Sequence, residues 1–140
     1  MKIELGYPDR EAERELLAGA DRREILARLD PGLTPAELLG HQQSVREVHA
    51  SASLIDYIQA LAARTRESPD WQTGLSPRAA LALLAASRAW AWLSGRDHVL
   101  PEDVQAVLSG VAGHRLRPAE GTSASSDMIA TRLIEAVPLP

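Results

Sequence analysis

The sequence predicts an all-α protein, a single bundle of five to six helices. Ala and Leu, which both favour helices, supply 23 and 20 of the 140 residues. Pro and Gly recur at positions where helices commonly begin and end. Between them, apolar residues follow a helical spacing. A length of 140 residues with 45% hydrophobic content suits one domain with one core.

The first third of the chain predicts three helical pieces. Apolar periodicity runs from 9 to 18, and Gly19 follows it. Residues 21–30 predict a short helix or an ordered loop, because Asp-Pro-Gly closes the segment. The third piece runs from Thr34 to about Val48, where Thr34 and Glu37 have the spacing of a capping box.

The middle of the chain predicts two long helices separated by a turn-rich loop. The first spans about 53–67 and carries one apolar stripe. Residues 68–74 are rich in turn formers. Ser76 then caps a helix that runs to Ser94, with Pro77 at its first position. This second helix is apolar on nearly all sides, so we expect it to be the central, buried helix.

Two further helices are predicted in the last third. Pro101 begins one that runs to about Gly113, with two acids in its first turn. Residues 118–126 form a Gly-, Ser- and Ala-rich loop, and the final helix covers about 127–137. Little or no sheet is expected.

Several function classes are excluded or disfavoured by composition. Without Cys there is no disulfide or thiolate site, and the four His lack metal-like spacing, so we expect no metal site. A net charge of −4 disfavours nucleic-acid binding. The longest apolar run, 79–86, is too short to span a membrane, and the N-terminus lacks the apolar stretch of a signal peptide. We therefore expect a cytoplasmic location.

Catalytic motifs are also missing. A P-loop needs a Lys directly after Gly, and the single Lys of this chain is Lys2, which follows Met1. No G-x-S-x-G, G-x-G-x-x-G or H-E-x-x-H motif occurs. The chain alone is thus not expected to be an enzyme.

Arg78 is unusual because it occupies the first turn of the long apolar helix. A cation there opposes the helix dipole, at a cost of about 0.3–1 kcal/mol. An arginine and free N–H groups at a helix start together suit an external anion such as phosphate. The alternative is an arginine that simply extends into solvent.

Trp90 and Trp92 lie two residues apart on the same predicted helix, so their side chains point about 200° apart. Either one of them lies at a surface that a partner covers, or the helix is packed on both sides within the bundle.

Taken in order, several segments resemble the C-terminal lid of MoxR-type AAA+ ATPases. The resemblance runs from about residue 3 to the end. The matching segments are Leu5-Gly6-Tyr7-Pro8-Asp9-Arg10-Glu11, Gly74-Leu75-Ser76-Pro77-Arg78-Ala79, Gly95-Arg96-Asp97-His98-Val99, Pro101-Glu102-Asp103-Val104-Gln105, His114-Arg115-Leu116 and Val137-Pro138. Leu75 stands where a small residue is frequent, and Leu100 where Thr or Ser is frequent.

The resemblance implies a helical lid, residues 1–140, whose parent protein carries the P-loop core upstream, with Met1 at or near an artificial start. It implies that Arg78 is the sensor 2 arginine of a G-x-S-P-R-A element that includes Ser76 and Pro77, and that it contacts the γ-phosphate of ATP. Tyr7 and Pro8 match the core-to-lid linker and border the adenine in this reading. Mg²⁺ would belong to the core.

The implied partners are the AAA+ core of the same chain, neighbouring subunits of a commonly hexameric ring, and von Willebrand A-domain proteins. The implied activity is chaperone-like remodelling of client proteins driven by ATP hydrolysis. A different hypothesis is a free-standing helical adaptor that binds proteins through the surface of Trp90 and Trp92. A nucleic-acid module is a third, and no membrane partner is expected.

Overall fold

The computed structural model describes residues 1–19, 21–119 and 124–139. Within these ranges the chain forms seven helices and two short strands. They are α1 (Arg10–Ala18), α2 (Arg22–Ala27), α3 (Pro35–Glu47), α4 (Ala52–Glu67), β1 (Trp71–Thr73), α5 (Pro77–Leu93), α6 (Pro101–Ala112), β2 (Arg117–Pro118) and α7 (Ser126–Ala136). The predicted all-α class is confirmed. The helix count is higher than predicted because the piece after Asp21 forms a helix, capped by the Asp21 carboxylate.

Short polar side chains begin most of the helices, as the sequence predicts. Thr34 and Glu37 form the expected capping box: the Glu37 N–H donates to the Thr34 hydroxyl at 3.2 Å, and the Thr34 N–H donates to the Glu37 carboxylate at 2.7 Å. Ser51 and Ser125 accept backbone N–H groups at the starts of α4 and α7.

The core lies between α4, α5, α6 and α7, and α3 packs against α5. α5 is only partly the central, buried helix that its composition predicts. Its buried residues follow one stripe, Ala79, Leu83, Ser87 and Ala91. On another side Leu81 and Leu93 are 69% and 72% exposed. The predicted central position of α5 is confirmed, since it packs on α3, α4 and α6, whereas the prediction of a buried helix holds for only one side.

The predicted loop at 68–74 contains a strand. β1 pairs antiparallel with β2, with Trp71 opposite Pro118. The pairing joins residues nearly fifty positions apart, and local sequence patterns carry no information about such a partner. The predicted 118–126 loop is shorter at both ends, because Pro118 is in β2 and Ser126 is in α7. Its residues 120–123 lie outside the described ranges.

α1 and α2 contribute no buried residue. Within the described ranges neither helix packs on another element. Apolar side chains of both helices are exposed to solvent, with Leu17 84% and Leu26 70% exposed. No helix in the part of the chain that the structure describes is long and apolar enough to cross a bilayer.

An ion pair closes the turn between α5 and α6. Gly95, with φ +75°, ends α5 in the left-handed region. Arg96 then donates two hydrogen bonds to the Asp103 carboxylate, at 2.8 and 2.5 Å. The same carboxylate accepts the Leu100 N–H at 2.8 Å. Asp103 therefore caps α6 from inside the helix, where Leu100 offers no side-chain acceptor.

Candidate functional site

The start of α5 presents an arginine to solvent. Ser76 caps the helix, its hydroxyl accepting the Ala79 N–H at 3.3 Å, and Pro77 fills the first helical position. Arg78 follows with an exposed side chain. Local sequence explains this order, because a Ser cap and a Pro with fixed φ favour helix initiation at this point.

The guanidinium and the backbone N–H of Arg78 have no partner in the part of the chain that the structure describes. No carboxylate there contacts its guanidinium. Its backbone N–H likewise has no acceptor among the described hydrogen bonds, since Ser76 serves the next two residues of the helix. Two kinds of donor, one of them charged, are thus available at the same helix end.

The electrostatic setting of this helix start is positive. The first turn of α5 contains no acid, whereas α1 and α6 each carry two acids in their first turns. The dipole of α5 and the Arg78 charge therefore add without a neighbouring carboxylate in that turn to offset them. Such an arrangement can bind an anion with several oxygens, such as phosphate.

The loop that leads into α5 is held by the last turn of α4. The Leu75 N–H donates to the Thr65 hydroxyl at 2.8 Å, and the Leu75 carbonyl accepts from Arg66 Nε at 2.8 Å. Gly74 lies so close to Arg66 that a Cβ on this glycine would come within 2.7 Å of the Arg66 Cα. Leu75 is therefore bonded to α4 through both its N–H and its carbonyl, and Gly74 packs directly against the α4 backbone.

Sequence reasoning missed Thr65 and Arg66. They lie near the end of a predicted helix, ten and nine positions before Leu75, the residue they bind. Nothing in the local sequence around them indicates this partner. The signal that could have found Thr65 is its place on the apolar side of the helix, which the structure confirms with an exposed fraction of 1%.

Tyr7 and Pro8 lie elsewhere. Both are exposed in the segment before α1, with Tyr7 fully exposed. Gly6 precedes them with φ +68°. Among the described contacts none joins this segment to Ser76, Pro77 or Arg78, so the structure does not bring the five predicted site residues together.

The two tryptophans separate, as their spacing predicts. Trp90 is 44% exposed. Trp92 is half-buried, with its ring 5.0 Å from the ring of His41 on α3. They do not form one continuous surface, so the adaptor hypothesis keeps only Trp90 as an open aromatic.

The fold is a mostly helical domain with one short strand pair among the residues that the structure describes. Residues 63–133 match the family described as the AAA lid domain, and the chain belongs to that family.

The relatives agree. The chain is 32% identical over 153 residues to the chaperone MoxR1 of Mycobacterium tuberculosis, covering 99% of this chain and 40% of the relative. It is 31% identical over 142 residues to the uncharacterised protein YeaC of Bacillus subtilis, covering 99% and 44%. The crystal structure of an ATPase candidate from Cytophaga hutchinsonii matches with a TM-score of 0.84 at 26% identity, covering 100% of this chain and 46% of that one. The resemblance to MoxR-type proteins is confirmed, and the chain spans less than half the length of these relatives.

Proposed function

We propose that this chain is the lid of an AAA+ ATPase and works with a P-loop core that precedes it in a longer protein. The observation that carries the proposal is Arg78, an arginine at an exposed helix start with no partner among the described residues, in a chain of the AAA lid family. In this role Arg78 is the sensor 2 arginine. Hydrolysis itself belongs to the core, because this chain has no P-loop.

The residues present fit a triphosphate. The Arg78 guanidinium offers a planar fork of donors to phosphate oxygens, and its free backbone N–H adds one more. Ser76 and Pro77 fix the direction of the helix start. In this proposal ATP supplies the anionic γ-phosphate, and Mg²⁺ is held by the core. Tyr7 and Pro8 remain proposed linker residues beside the adenine.

The wider role that we propose has partial support from one relative. This relative is named as a chaperone, which supports ATP-driven remodelling of client proteins. We place the lid between neighbouring subunits of a ring, commonly a hexamer, in the cytoplasm, with a von Willebrand A-domain protein as a partner of the assembly.

The experiment is Arg78→Ala in the longer protein that contains both core and lid. We expect ATP turnover at saturating ATP to fall roughly 10- to 100-fold, the loss that accompanies one charged hydrogen-bonding partner of the transition state. Arg132→Ala is the matched control, because Arg132 is exposed on α7, and turnover should be unchanged. If Arg78→Ala turned over ATP like the parent, the proposal would be wrong.

A further inference from the structure

We propose that Thr65 and Arg66 are positioning residues that set the place of Arg78. Together they bind the N–H and the carbonyl of Leu75, and we call this pair of hydrogen bonds the α4 clamp. The inference rests on the proposed function of Arg78 and adds to it two residues that never need to touch nucleotide.

Thr65 uses its hydroxyl twice. It is 1% exposed, donates to the Ala62 carbonyl at 2.7 Å and accepts the Leu75 N–H at 2.8 Å. The first bond fixes the hydroxyl hydrogen, so the oxygen lone pairs face the loop. A buried N–H that loses its acceptor carries a desolvation cost, and Leu75 is itself buried. The Leu75 N–H is therefore kept at Thr65.

Arg66 completes the clamp from the next position of α4. Its Nε donates to the Leu75 carbonyl at 2.8 Å. The donor and the acceptor of one residue are thus both taken by consecutive side chains of one helix. The absent side chain of Gly74 allows the loop to approach this closely.

The connection from the clamp to Arg78 has little freedom. Ser76 is bonded to the first turn of α5, and the pyrrolidine ring of Pro77 fixes its φ. Only these two residues separate Leu75 from Arg78. A shift of the Leu75 peptide relative to α4 therefore moves the Arg78 backbone by a similar distance, and a misplacement of about 1 Å in a catalytic site can cost about 100-fold in rate.

The test uses the longer protein with core and lid. Thr65→Val keeps the shape of the side chain and removes both hydrogen bonds, whereas Thr65→Ser keeps the hydroxyl. We expect Thr65→Val to lower ATP turnover at least about fivefold and Thr65→Ser to restore most of it. Thr131→Val is the matched control, since Thr131 is exposed on α7, and we expect parental turnover.

The decisive measurement combines Thr65→Val with Arg78→Ala. If the clamp acts through Arg78, the double variant turns over ATP no more slowly than Arg78→Ala alone. A purely structural role of Thr65 would instead give a further fivefold loss in the double variant, and this result would overturn the inference. Should Thr65→Val fail to fold, Arg66→Ala replaces it, because Arg66 is exposed, with Arg64→Ala on the same helix as its control.

The possible failures are distinguishable. Parental turnover in Arg78→Ala would refute the proposed function and the clamp with it. A reduced turnover in Arg78→Ala, together with parental turnover in both Thr65→Val and Arg66→Ala, would refute the clamp alone. Hydrogen exchange of the Leu75 amide gives a readout without nucleotide: Thr65→Val should speed it, and an unchanged rate would contradict the bond on which the inference stands.

Discussion

Gly74→Ala tests the contact between the loop and α4 through the stability of the chain itself. A Cβ at position 74 would lie 2.5 Å from the Arg66 Cγ, 2.7 Å from its Cα and 2.8 Å from its backbone nitrogen. The Cγ can move by a rotamer change. The other two atoms belong to the backbone of α4, so the loop has to move away from the helix.

The size of the effect follows from that displacement. Carbon atoms in proteins pack at about 3.5–4.0 Å, so relief of the contact needs a movement of about 1 Å. Overpacking of this kind costs about 1–3 kcal/mol. The same movement stretches the two 2.8 Å hydrogen bonds of Leu75 beyond bonding distance, at about 1 kcal/mol each. We expect the free energy of unfolding to fall by about 3–5 kcal/mol.

Urea unfolding followed by circular dichroism measures this change, with equal m-values required for the comparison. Gly40→Ala is the matched control: Gly40 lies in α3, and a Cβ there meets nothing within 4 Å. This substitution should stabilise the chain by about 0.5–1 kcal/mol, because alanine favours the helix. If Gly74→Ala left the unfolding free energy within error of the parent while Gly40→Ala behaved as expected, the close approach of the loop to α4 would be refuted.

Two further predictions concern the ends of helices. Asp103→Ala should lower the melting temperature more than Glu102→Ala, because Asp103 is 2% exposed and its removal leaves Arg96 without its carboxylate; equal melting temperatures would contradict this. The pKa of Glu37 lies below the ordinary glutamate value because its carboxylate accepts hydrogen bonds from the Thr34 N–H and hydroxyl. The cap is therefore complete above about pH 4.3 and is lost as the pH falls through the lowered pKa. In an NMR titration, the midpoint of Glu37 should be lower in the parent chain than in the Thr34→Ala variant, which lacks the hydroxyl; equal midpoints would contradict this cause.

Local signals in the sequence predicted the local features of the fold. The capping box at Thr34 and the cap at Ser76 depend on residues within three positions, and the structure confirms both. The place of α5 was harder to predict. Apolar residues on all sides of a helix indicate burial, yet Leu81 remains exposed, because composition does not tell how many sides of a helix receive neighbours.

The candidate site was predictable only in part for the same physical reason. Arg78 was singled out because its position within its own helix is unusual and because the family resemblance assigns it a role, and that role stays a prediction. Thr65 and Arg66 were not found, because their bonds to Leu75 form only when the loop after α4 folds back against that helix. The strand pair in the same loop, with Trp71 opposite Pro118, also joins residues that are far apart in the sequence.

The contacts of the loop with α4 and β2 bear on how a displacement of α4 would affect the position of Arg78. The loop between α4 and α5 is bound to β2 in its middle and to α4 at its end, and Trp71 is buried within it. A loop fixed at both places cannot absorb a displacement by changing its own shape. We therefore expect a rotation of α4 to be passed to the start of α5, so that Arg78 would move together with α4. If Arg78 binds phosphate as proposed, the α4 clamp links the nucleotide to α4 through the two hydrogen bonds of Leu75.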